Sequence, residues 1–379
     1  MKTKPILSFY TNMPTPYQLD FFEALKELFE LRVIYFTARE SDRQWDLSLS
    51  GNGYSVQVLR NNLLAKLVQK KITSFHFSNQ IFRILKNDKA DFVIVNGTYW
   101  SPNVVFALRY SYKRKKKVAF WSEPVFPVAN RLFFKVKKVM LGPVFRYSHL
   151  LLAIGKQAAE SYRRYGYPKQ VFNIPYNINS SLFESKNLDP ALFQELVTRF
   201  KPGREVVLLS SGSLIHRKGM DILVKAFLQL PDHLNAHLLL MGDGESKEEL
   251  QQLSANSNRV HFIGFQEKKK VPYWFNLADI FVFASRYDGW GLVINEALAA
   301  QKPVICSSTV GAAKDKLVNL QNAIIVDDED VKKWSQAMEK LITNEAYRNK
   351  IIENSQVVKQ ELSSDFNAKK IYDIFRAIE

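Results

Sequence analysis

Short apolar runs alternate with longer amphipathic stretches along most of the chain, and this alternation occurs twice. The runs are rich in β-branched and aromatic residues and cover residues 6–10, 32–37, 54–59, 91–95, 118–121, 150–154 and 171–174, and then 206–210, 237–241, 260–263, 280–284, 304–306 and 323–326. Helical patterns lie between them, at 17–29, 74–86, 156–165, 220–230, 247–254, 272–277 and 292–300. Nearly continuous apolar strands separated by helices form parallel sheets that are covered on both faces. The sequence therefore predicts an α/β protein with two doubly wound, Rossmann-like parallel sheets.

A less regular stretch at 177–203 separates the two sets of strands. At about 100–200 residues per domain, a chain of 379 residues is long enough for two cores. We predict an N-terminal domain at residues 1–185 and a C-terminal domain at residues 200–379. Helical patterns without intervening strands begin at residue 331, so we expect the terminal helices to cap the assembly or to cross back to the N-terminal domain.

The positive charge of the chain is concentrated in its first half. Residues 1–180 contain 28 Lys and Arg against 11 Asp and Glu, whereas residues 181–379 contain 25 against 26. Ten of these cations fall within 109–138, which contains a single acid, Glu123. A field of this kind attracts anionic partners such as nucleic acid, acidic lipid headgroups or phosphorylated substrates. The pentad at 113–117 fits a solvated loop equally well.

The segment 131–146, RLFFKVKKVMLGPVFR, interleaves cations with large apolar residues. This pattern is typical of a helix that lies in the headgroup plane of an anionic membrane, and it is equally typical of a helix whose apolar stripe packs on its own domain. An anionic inner-leaflet surface contacted through residues 109–146 is therefore one of two interpretations. Apolar stretches elsewhere fall short of the ~20 residues that cross a bilayer.

The lone cysteine, Cys306, and the absence of a signal-peptide pattern after Met1 predict a cytoplasmic protein, either free or peripheral at the cytoplasmic face of the membrane.

Ligands of doubly wound sheets bind beyond the carboxyl ends of the strands, so the loops after the strands are the first candidates for a site. After the run 206–210 come Gly212 and Ser213, and then Arg217, Lys218 and Gly219 before a helix. Glycines around an Arg-Lys pair at a helix N-terminus suit a diphosphate, although a basic surface turn has the same composition. The segment matches neither the dinucleotide fingerprint nor the P-loop.

After the run 280–284, Asp288 precedes a glycine turn and Glu296 lies just over one helical turn past Leu292. Both carboxylates can face one cleft and accept hydrogen bonds from sugar hydroxyls. The alternative makes Asp288 a helix N-cap and Glu296 a surface residue. An acid within an apolar stretch is costly without a partner, which argues against that alternative for Glu296.

These motifs resemble those of the retaining GT-B glycosyltransferases of family 4, whose members include bacterial polysaccharide and lipopolysaccharide sugar transferases. The elements occur in the same order over residues 206–311: Gly212 with Arg217-Lys218-Gly219, then Gly242-Asp243-Gly244, then Asp288-Gly289-Trp290-Gly291-Leu292 with Asn295-Glu296-Ala297, then Lys302-Pro303-Val304-Ile305. Over the first 180 residues the resemblance is looser, and rests on the segments 11–22, 96–100 and 121–124. The chain departs from the family in having Asp288 where a glutamate is usual, and Ser213 where Arg or Lys is frequent.

The resemblance implies a nucleotide diphosphate-sugar held by the C-terminal domain in a cleft between the domains. Arg217 and Lys218 would neutralise the leaving diphosphate, Glu296 would bind the ribose, and Asp288 would hold the donor sugar. Other donor-binding positions would be Gly212, Ser213, Gly242, Gly264, Phe265, Gly289, Trp290, Gly291 and Leu292. No metal or other cofactor is expected, because the two cations take the place of Mg²⁺, and Asp330 in the only Asp-x-Asp triplet is predicted to cap a helix.

On the N-terminal side, the resemblance places Asn12, Thr15, Tyr99 and Trp100 beside a glycan or lipid-linked acceptor. Glu123 would orient the acceptor hydroxyl or act as a base, or it would simply pair with a nearby cation. The predicted activity is metal-independent, anomer-retaining transfer of a hexosyl group. A GT-B-like sugar-nucleotide epimerase is an alternative, and so is a nucleic-acid-binding protein that uses the basic half. Nucleic acid is not expected, because no helix-turn-helix or RNP motif is present.

Overall fold

The computed structural model describes residues 4–38, 51–69, 71–72, 74–201, 203, 205–327 and 329–378. The chain divides into two compact units, Met1–Asn177 together with Ser364–Glu379, and Ile178–Ser363. Each unit is built on one parallel sheet, which confirms the predicted fold class of two Rossmann-like α/β domains.

The sheet of the first unit has seven parallel strands in the order β3-β2-β1-β4-β5-β6-β7. Its strands are β1 (Ile6–Thr11), β2 (Glu30–Tyr35), β3 (Ser55–Val58), β4 (Phe92–Asn96), β5 (Lys117–Ser122), β6 (Leu150–Ala153) and β7 (Gln170–Asn173). Its helices are α1 (Pro16–Leu28), α2 (Leu63–Gln69), α3 (Gln80–Asn87), α4 (Pro102–Lys113), α5 (Arg131–Tyr147) and α6 (Lys156–Arg164).

The sheet of the second unit has six parallel strands in the order β10-β9-β8-β11-β12-β13. Its strands are β8 (Val206–Ser211), β9 (Ala236–Met241), β10 (Val260–Gly264), β11 (Ile280–Phe283), β12 (Val304–Ser307) and β13 (Ile324–Val326). Helices α7 (Pro190–Phe200), α8 (Met220–Leu228), α9 (Lys247–Leu253), α10 (Val271–Leu277), α11 (Leu292–Ala299), α12 (Gly311–Lys316), α13 (Val331–Thr343), α14 (Glu345–Asn354) and α15 (Gln356–Glu361) surround it.

The apolar runs identified strand positions well because parallel strands are buried on both faces. Every predicted strand is present, within two residues of its predicted ends. The helix predicted at 74–86 begins only at Gln80, because the backbone before it bonds to other segments. The backbone amides of His76 and Ser78 bond to the side chains of Ser101 and Asn103, which competes with helix formation.

The last helix, α16 (Ser364–Ala377), belongs to the first unit. Phe375 stacks on Phe92 of β4 with ring centroids 4.6 Å apart, and Tyr372 packs against Phe29 at 5.4 Å. At the start of α13, the Asp330 carboxylate accepts hydrogen bonds from the backbone amides of Lys332 and Lys333, which confirms the predicted helix cap. Asp328 lies outside the described residues.

The basic pentad 113–117 is only partly a solvated loop. Lys113 to Lys115 are exposed, but the Lys116 amine donates to the carbonyls of Asp88 and Ala90 at 2.8 and 3.1 Å and lies 3.6 Å from the Asp88 carboxylate. Burial lowers the pKa of Lys116. Lys117 begins β5, so the solvated-loop interpretation is wrong for these last two residues.

Helix α5 has apolar residues on two faces, and only one of them packs on the unit. Leu141 and Val144 are fully buried, and Phe134 stacks on Tyr165 with centroids 4.6 Å apart. Leu132, Val136 and Val139 follow the i, i+4, i+7 spacing of a second face, and they are 67%, 47% and 76% exposed. Within the described residues, no helix has both the length and the apolar character needed to cross a membrane.

A histidine pair lies on neighbouring strands of the second unit. His237 Nδ1 and His261 Nε2 are 3.0 Å apart, on β9 and β10. Burial lowers the pKa of both rings, and the neighbouring His237 lowers the pKa of His261 further. Histidines in an unfolded chain titrate near a pKa of about 6.5. Below that pH the unfolded chain therefore takes up protons that the native pair does not.

We predict that the free energy of unfolding, measured by urea titration, falls as the pH is lowered from about 7.5 to 5.5. The stability due to the pair is present above the unfolded pKa and is lost as the pH falls through the lowered native values. His237→Gln should reduce this pH dependence, whereas the control His233→Gln, at an exposed position, should leave it unchanged. Equal pH dependence in the two variants would contradict the role of the pair.

Candidate functional site

The loop after β8 lies against the loops after β9 and β11 through close backbone contacts, which glycines permit. Gly219 has φ +66°, and a Cβ there would lie 2.0 Å from the carbonyl oxygen of Ala284. A Cβ on Gly242 would lie 1.9 Å from the carbonyl oxygen of Gly212. The amide of Gly212 donates to the Met241 carbonyl at 2.9 Å. Gly212 and Gly242, which were predicted to contact a donor, therefore also permit the close approach of these loops.

Two cations and a carboxylate meet beyond the carboxyl ends of β8 and β11. The Lys218 amine binds the Asp288 carboxylate directly, and the Arg217 guanidinium lies 3.8 Å from the same carboxylate. Arg217 also donates to the Tyr287 carbonyl at 2.8 Å. The side chains of Lys218 and Asp288 are only 14% and 16% exposed, whereas Arg217 is 49% exposed. Three of the predicted site residues are thus in contact.

Arg286 fixes the loop after β11 against the start of α8. Its guanidinium donates two hydrogen bonds to the Asp221 carboxylate at 2.8 and 2.9 Å, one to the His216 carbonyl at 2.6 Å and one to Glu329 at 2.9 Å. Hydrogen bonds to Asp221 raise the pKa of Arg286. Burial alone would raise the pKa of Asp221, but the bonds and the charge of Arg286 lower it. Arg286 was not predicted from the sequence, since a single arginine in a loop carries no pattern.

The turn into α11 is built on Gly291, which has φ +85° and is the N-cap of that helix. Asp288 is therefore not the N-cap, and its Oδ1 atom accepts from the Trp290 amide at 3.2 Å within the preceding turn. The Trp290 indole is buried and donates to Asn295 at 3.0 Å, so this position offers a ligand only its backbone. Glu296, on the second turn of α11, is partly buried, as is Leu292 at its start.

The remaining predicted donor-binding positions surround these loops. Gly264 ends β10, and its carbonyl accepts from the Gly242 amide at 3.0 Å. Ser213 and Phe265 are exposed, and Gly289 is partly buried, with its carbonyl next to Gly311 of α12. Within the described ranges, no group of three or more His, Cys, Asp or Glu side chains is placed to hold a metal ion.

A cavity of about 470 Å³ lies in the first unit, beyond the carboxyl ends of β1, β4 and β5. The five residues predicted for the acceptor side all line it: Asn12, Thr15, Tyr99, Trp100 and Glu123. Other lining residues were not predicted from the sequence, among them Gln18, Asn96, Ser122, Lys137 and Tyr176. Asn96 and Ser122 directly follow the predicted strands 91–95 and 118–121, so the expectation that sites lie just after strands could have found them. Lys137 and Tyr176 are brought to the cavity only by tertiary packing.

Glu123 accepts a hydrogen bond from the Tyr176 hydroxyl at 2.7 Å. The Tyr176 ring packs edge-on against Trp121 and Tyr17, with centroids 5.6 and 5.0 Å away. Burial and the adjacent Glu123 carboxylate raise the pKa of Tyr176 well above its ordinary value, so the phenol stays a proton donor. This hydrogen bond holds the carboxylate at the cavity wall.

Residues 196–358 match the family model described as glycosyl transferases group 1. The chain is 28% identical over 177 residues to a lipopolysaccharide core biosynthesis glycosyltransferase of Rhizobium meliloti, which is 46% of this chain and 49% of that protein. It is 30% identical over 172 residues to a capsular polysaccharide biosynthesis glycosyltransferase of Staphylococcus aureus, which is 41% of this chain and 44% of that protein. The chain thus matches about half the length of these relatives.

Among solved structures, the chain is similar to Alr3699/HepE of Anabaena, crystallised in complex with UDP. The TM-score is 0.76 at 16% sequence identity, and the match covers 98% of this chain and all of that one. A likeness at this identity establishes the fold. The chain therefore has the GT-B fold, with two Rossmann-like domains, and residues 196–358 are similar to the glycosyl transferases group 1 family.

Proposed function

We propose that the chain is a retaining glycosyltransferase of family 4 type, which moves a sugar from a nucleotide diphosphate-sugar to a glycan or lipid-linked acceptor. The observation that carries this proposal is the contact of Arg217 and Lys218 with Asp288 within the group 1 domain. The Anabaena neighbour was crystallised with UDP and with UDP-glucose, which supports a nucleotide-sugar donor. The Rhizobium and Staphylococcus relatives support a role in surface polysaccharide or glycolipid synthesis.

The donor diphosphate binds near the N-terminus of α8, where helix dipole and cations both favour an anion. Arg217 and Lys218 neutralise the charge that develops on the leaving diphosphate, and stabilisation of developing charge is usually what lowers the barrier most in such reactions. Asp288 keeps the Lys218 amine in place and, with the backbone of residues 289–292, binds the donor sugar. Glu296 accepts hydrogen bonds from the ribose hydroxyls. In this proposal the two cations replace a metal ion.

The first unit binds the acceptor. In retaining transfer the departing phosphate can take the proton of the acceptor hydroxyl, so a side-chain base is not required. Glu123, held by Tyr176, then orients that hydroxyl rather than deprotonating it. The cavity that Glu123 lines is also lined by Asn12, Thr15, Tyr99 and Trp100.

The outward face of α5 binds an anionic membrane surface, as a peripheral protein at the cytoplasmic face would. Its exposed residues Leu132, Val136 and Val139 have the area and spacing to enter the headgroup layer, and the exposed cations Arg131, Lys135 and Lys138 flank them. Lys137 instead points its amine to the Phe126 carbonyl at 2.7 Å, inside the unit. A lipid-linked acceptor would be reached from this position.

We predict that one of the UDP-, GDP- or ADP-sugars raises the melting temperature of the protein, and that Arg217→Ala weakens binding of that nucleotide sugar about ten- to a hundredfold in titration calorimetry. A hydrogen bond to a charged group contributes about 1.5–3 kcal/mol, and about 1.4 kcal/mol is tenfold in affinity. Lys218→Ala should act in the same direction. The control Lys350→Ala removes an equal charge at an exposed position of α14. Wild-type affinity in the Arg217→Ala variant would refute the assigned role.

We predict that protein treated with EDTA releases the nucleoside diphosphate from this donor at the rate of untreated protein, because the cations serve in place of a metal. NMR of the released or transferred sugar should show the donor anomer retained. A rate restored only by Mg²⁺ would contradict metal independence. An intact nucleotide sugar with an altered configuration would instead identify an epimerase.

We predict that the protein sediments with vesicles of phosphatidylcholine containing phosphatidylglycerol, and that replacing Arg131, Lys135 and Lys138 together with Gln weakens this binding about a hundredfold. The expectation follows from about 1 kcal/mol for each cation near an anionic surface. The matched control replaces Lys113, Arg114 and Lys115 with Gln, which removes the same charge from exposed positions of the same unit. Equal losses in the two triple variants would show that net charge, and not α5, attracts the vesicles.

A further inference from the structure

Several oxygens in the wall of the first unit's cavity have no hydrogen-bond partner among the described residues. These are Thr15 Oγ1, Gln18 Oε1 and Asn12 Oδ1, all buried atoms for which the described part of the chain supplies no donor or acceptor. Thr15 and Gln18 are only 8% and 3% exposed as whole residues. About nine in ten buried polar groups in native proteins are paired, and an unpaired one costs about 1–3 kcal/mol. Their concentration in one cavity wall points to a ligand that supplies the missing partners.

The orientation of the Gln18 side-chain amide follows from the hydrogen bonds of its neighbours. The Trp121 carbonyl can only accept, so the Asn96 group 2.9 Å from it is the amide nitrogen. The Asn96 oxygen therefore faces Thr11 and Gln18, with Thr11 donating to it at 2.9 Å. The Gln18 nitrogen in turn donates to Thr11 Oγ1 at 3.1 Å. The unpartnered atom of Gln18 is consequently its oxygen, a hydrogen-bond acceptor.

The charges of the cavity favour the same kind of ligand. Glu123 contributes a carboxylate, which accepts hydrogen bonds and repels anions. Lys137 is the one cation among the described lining residues, and its amine already donates to the Phe126 carbonyl. Burial also lowers the pKa of Lys137. An anion entering this cavity would lose hydration next to the Glu123 carboxylate and the buried acceptor oxygens, with Lys137 as the one lining cation within the described residues, whereas a hydroxyl would gain acceptors.

We propose that this cavity binds an uncharged, hydroxyl-bearing ring of the acceptor and excludes phosphate and carboxylate groups. The hydroxyls donate to Gln18, Asn12 and Glu123, and the rings of Tyr99 and Trp100 lie against the apolar face of the sugar. The volume of about 470 Å³ is in the range of small-molecule sites. This inference rests on the proposed glycosyltransferase function and specifies the part of the acceptor that reacts.

Thr15→Val tests the proposal because it removes an unpartnered hydroxyl without a change of shape. Thr15 precedes α1 with an extended backbone, φ −133° and ψ 145°, where valine fits, and its side chain makes no capping hydrogen bond. The variant should therefore melt at or above the wild-type temperature, since it loses a buried unpaired group and no hydrogen bond. A hydrogen bond between the Thr15 hydroxyl and a ligand would contribute about two- to tenfold to the affinity.

The probes are methyl α-D-glucopyranoside, methyl α-D-mannopyranoside and myo-inositol, compared with glucose 6-phosphate and mannose 6-phosphate, by saturation-transfer NMR on the full chain. We expect at least one neutral ring to bind and to bind more tightly than the phosphate esters. Thr15→Val should weaken that binding about two- to tenfold. The control Thr343→Val makes the same change at an exposed position of α13 in the second unit and should leave it unaltered.

Tighter binding of the phosphate esters, unchanged binding in Thr15→Val, or a Thr15→Val variant that melts well below the wild type would each overturn the proposal. Failure of every neutral ring to bind, in protein that still binds a nucleotide sugar, would also overturn it and leave the proposed function standing. Failure of every nucleotide sugar to bind would overturn the proposed function instead.

Discussion

The bidentate pairing of Arg286 with Asp221 is the interaction on which the candidate donor site depends. It connects the loop after β11 to the first turn of α8, and Arg286 also bonds to the carbonyl of His216. Planar guanidinium–carboxylate pairs fix both distance and orientation, so the loop has little freedom to move from the helix. The glycine at 219, whose backbone lies against that of Ala284, permits the same close approach. Arg217, Lys218 and Asp288 meet because these two loops are fixed against each other.

The two units are built on the same kind of sheet, but the residues in the loops beyond their strands differ in chemistry. In the second unit, the loops beyond the strands bring cations and the N-termini of helices together, which suits an anion. In the first unit, the corresponding loops bring a carboxylate and amide oxygens to a cavity lined by aromatic rings, which suits a neutral donor of hydrogen bonds. Apart from Lys137, the cations of α5 and of the α4–β5 turn are not among the described residues that line this cavity. In the proposed function, this charge would lie around the acceptor rather than at its reacting ring.

The fold and much of the candidate site could be predicted from sequence because each follows from local patterns. Buried parallel strands are continuous apolar runs, and the loops that follow them lie at one edge of the sheet, which pointed to the loops that contain Lys218 and Asp288. The resemblance to family 4 predicted Asn12, Tyr99 and Glu123 for the acceptor side, and all three line one cavity. Arg286, Gln18 and Tyr176 were missed because each acquires its role from a distant partner. The binding of ribose hydroxyls by Glu296 remains a prediction. The exposed face of α5 could not be predicted either, because its apolar pattern does not determine which residues pack inward.

The sequence by itself determined the two sheets, the strand ends that carry the candidate residues, and the separation of charge between the halves. Hydrophobic periodicity and turn residues act over a few positions, so the linear chain contains that information. Only the tertiary structure decided that Lys218 pairs with Asp288, that Lys116 lies near Asp88, and that the outer face of α5 stays exposed. It also decided that buried oxygens of Thr15 and Gln18 find no partner in the described part of the chain. Ion pairing, burial and unmet hydrogen bonds depend on which segments come within a few ångströms of one another, and packing alone sets those distances.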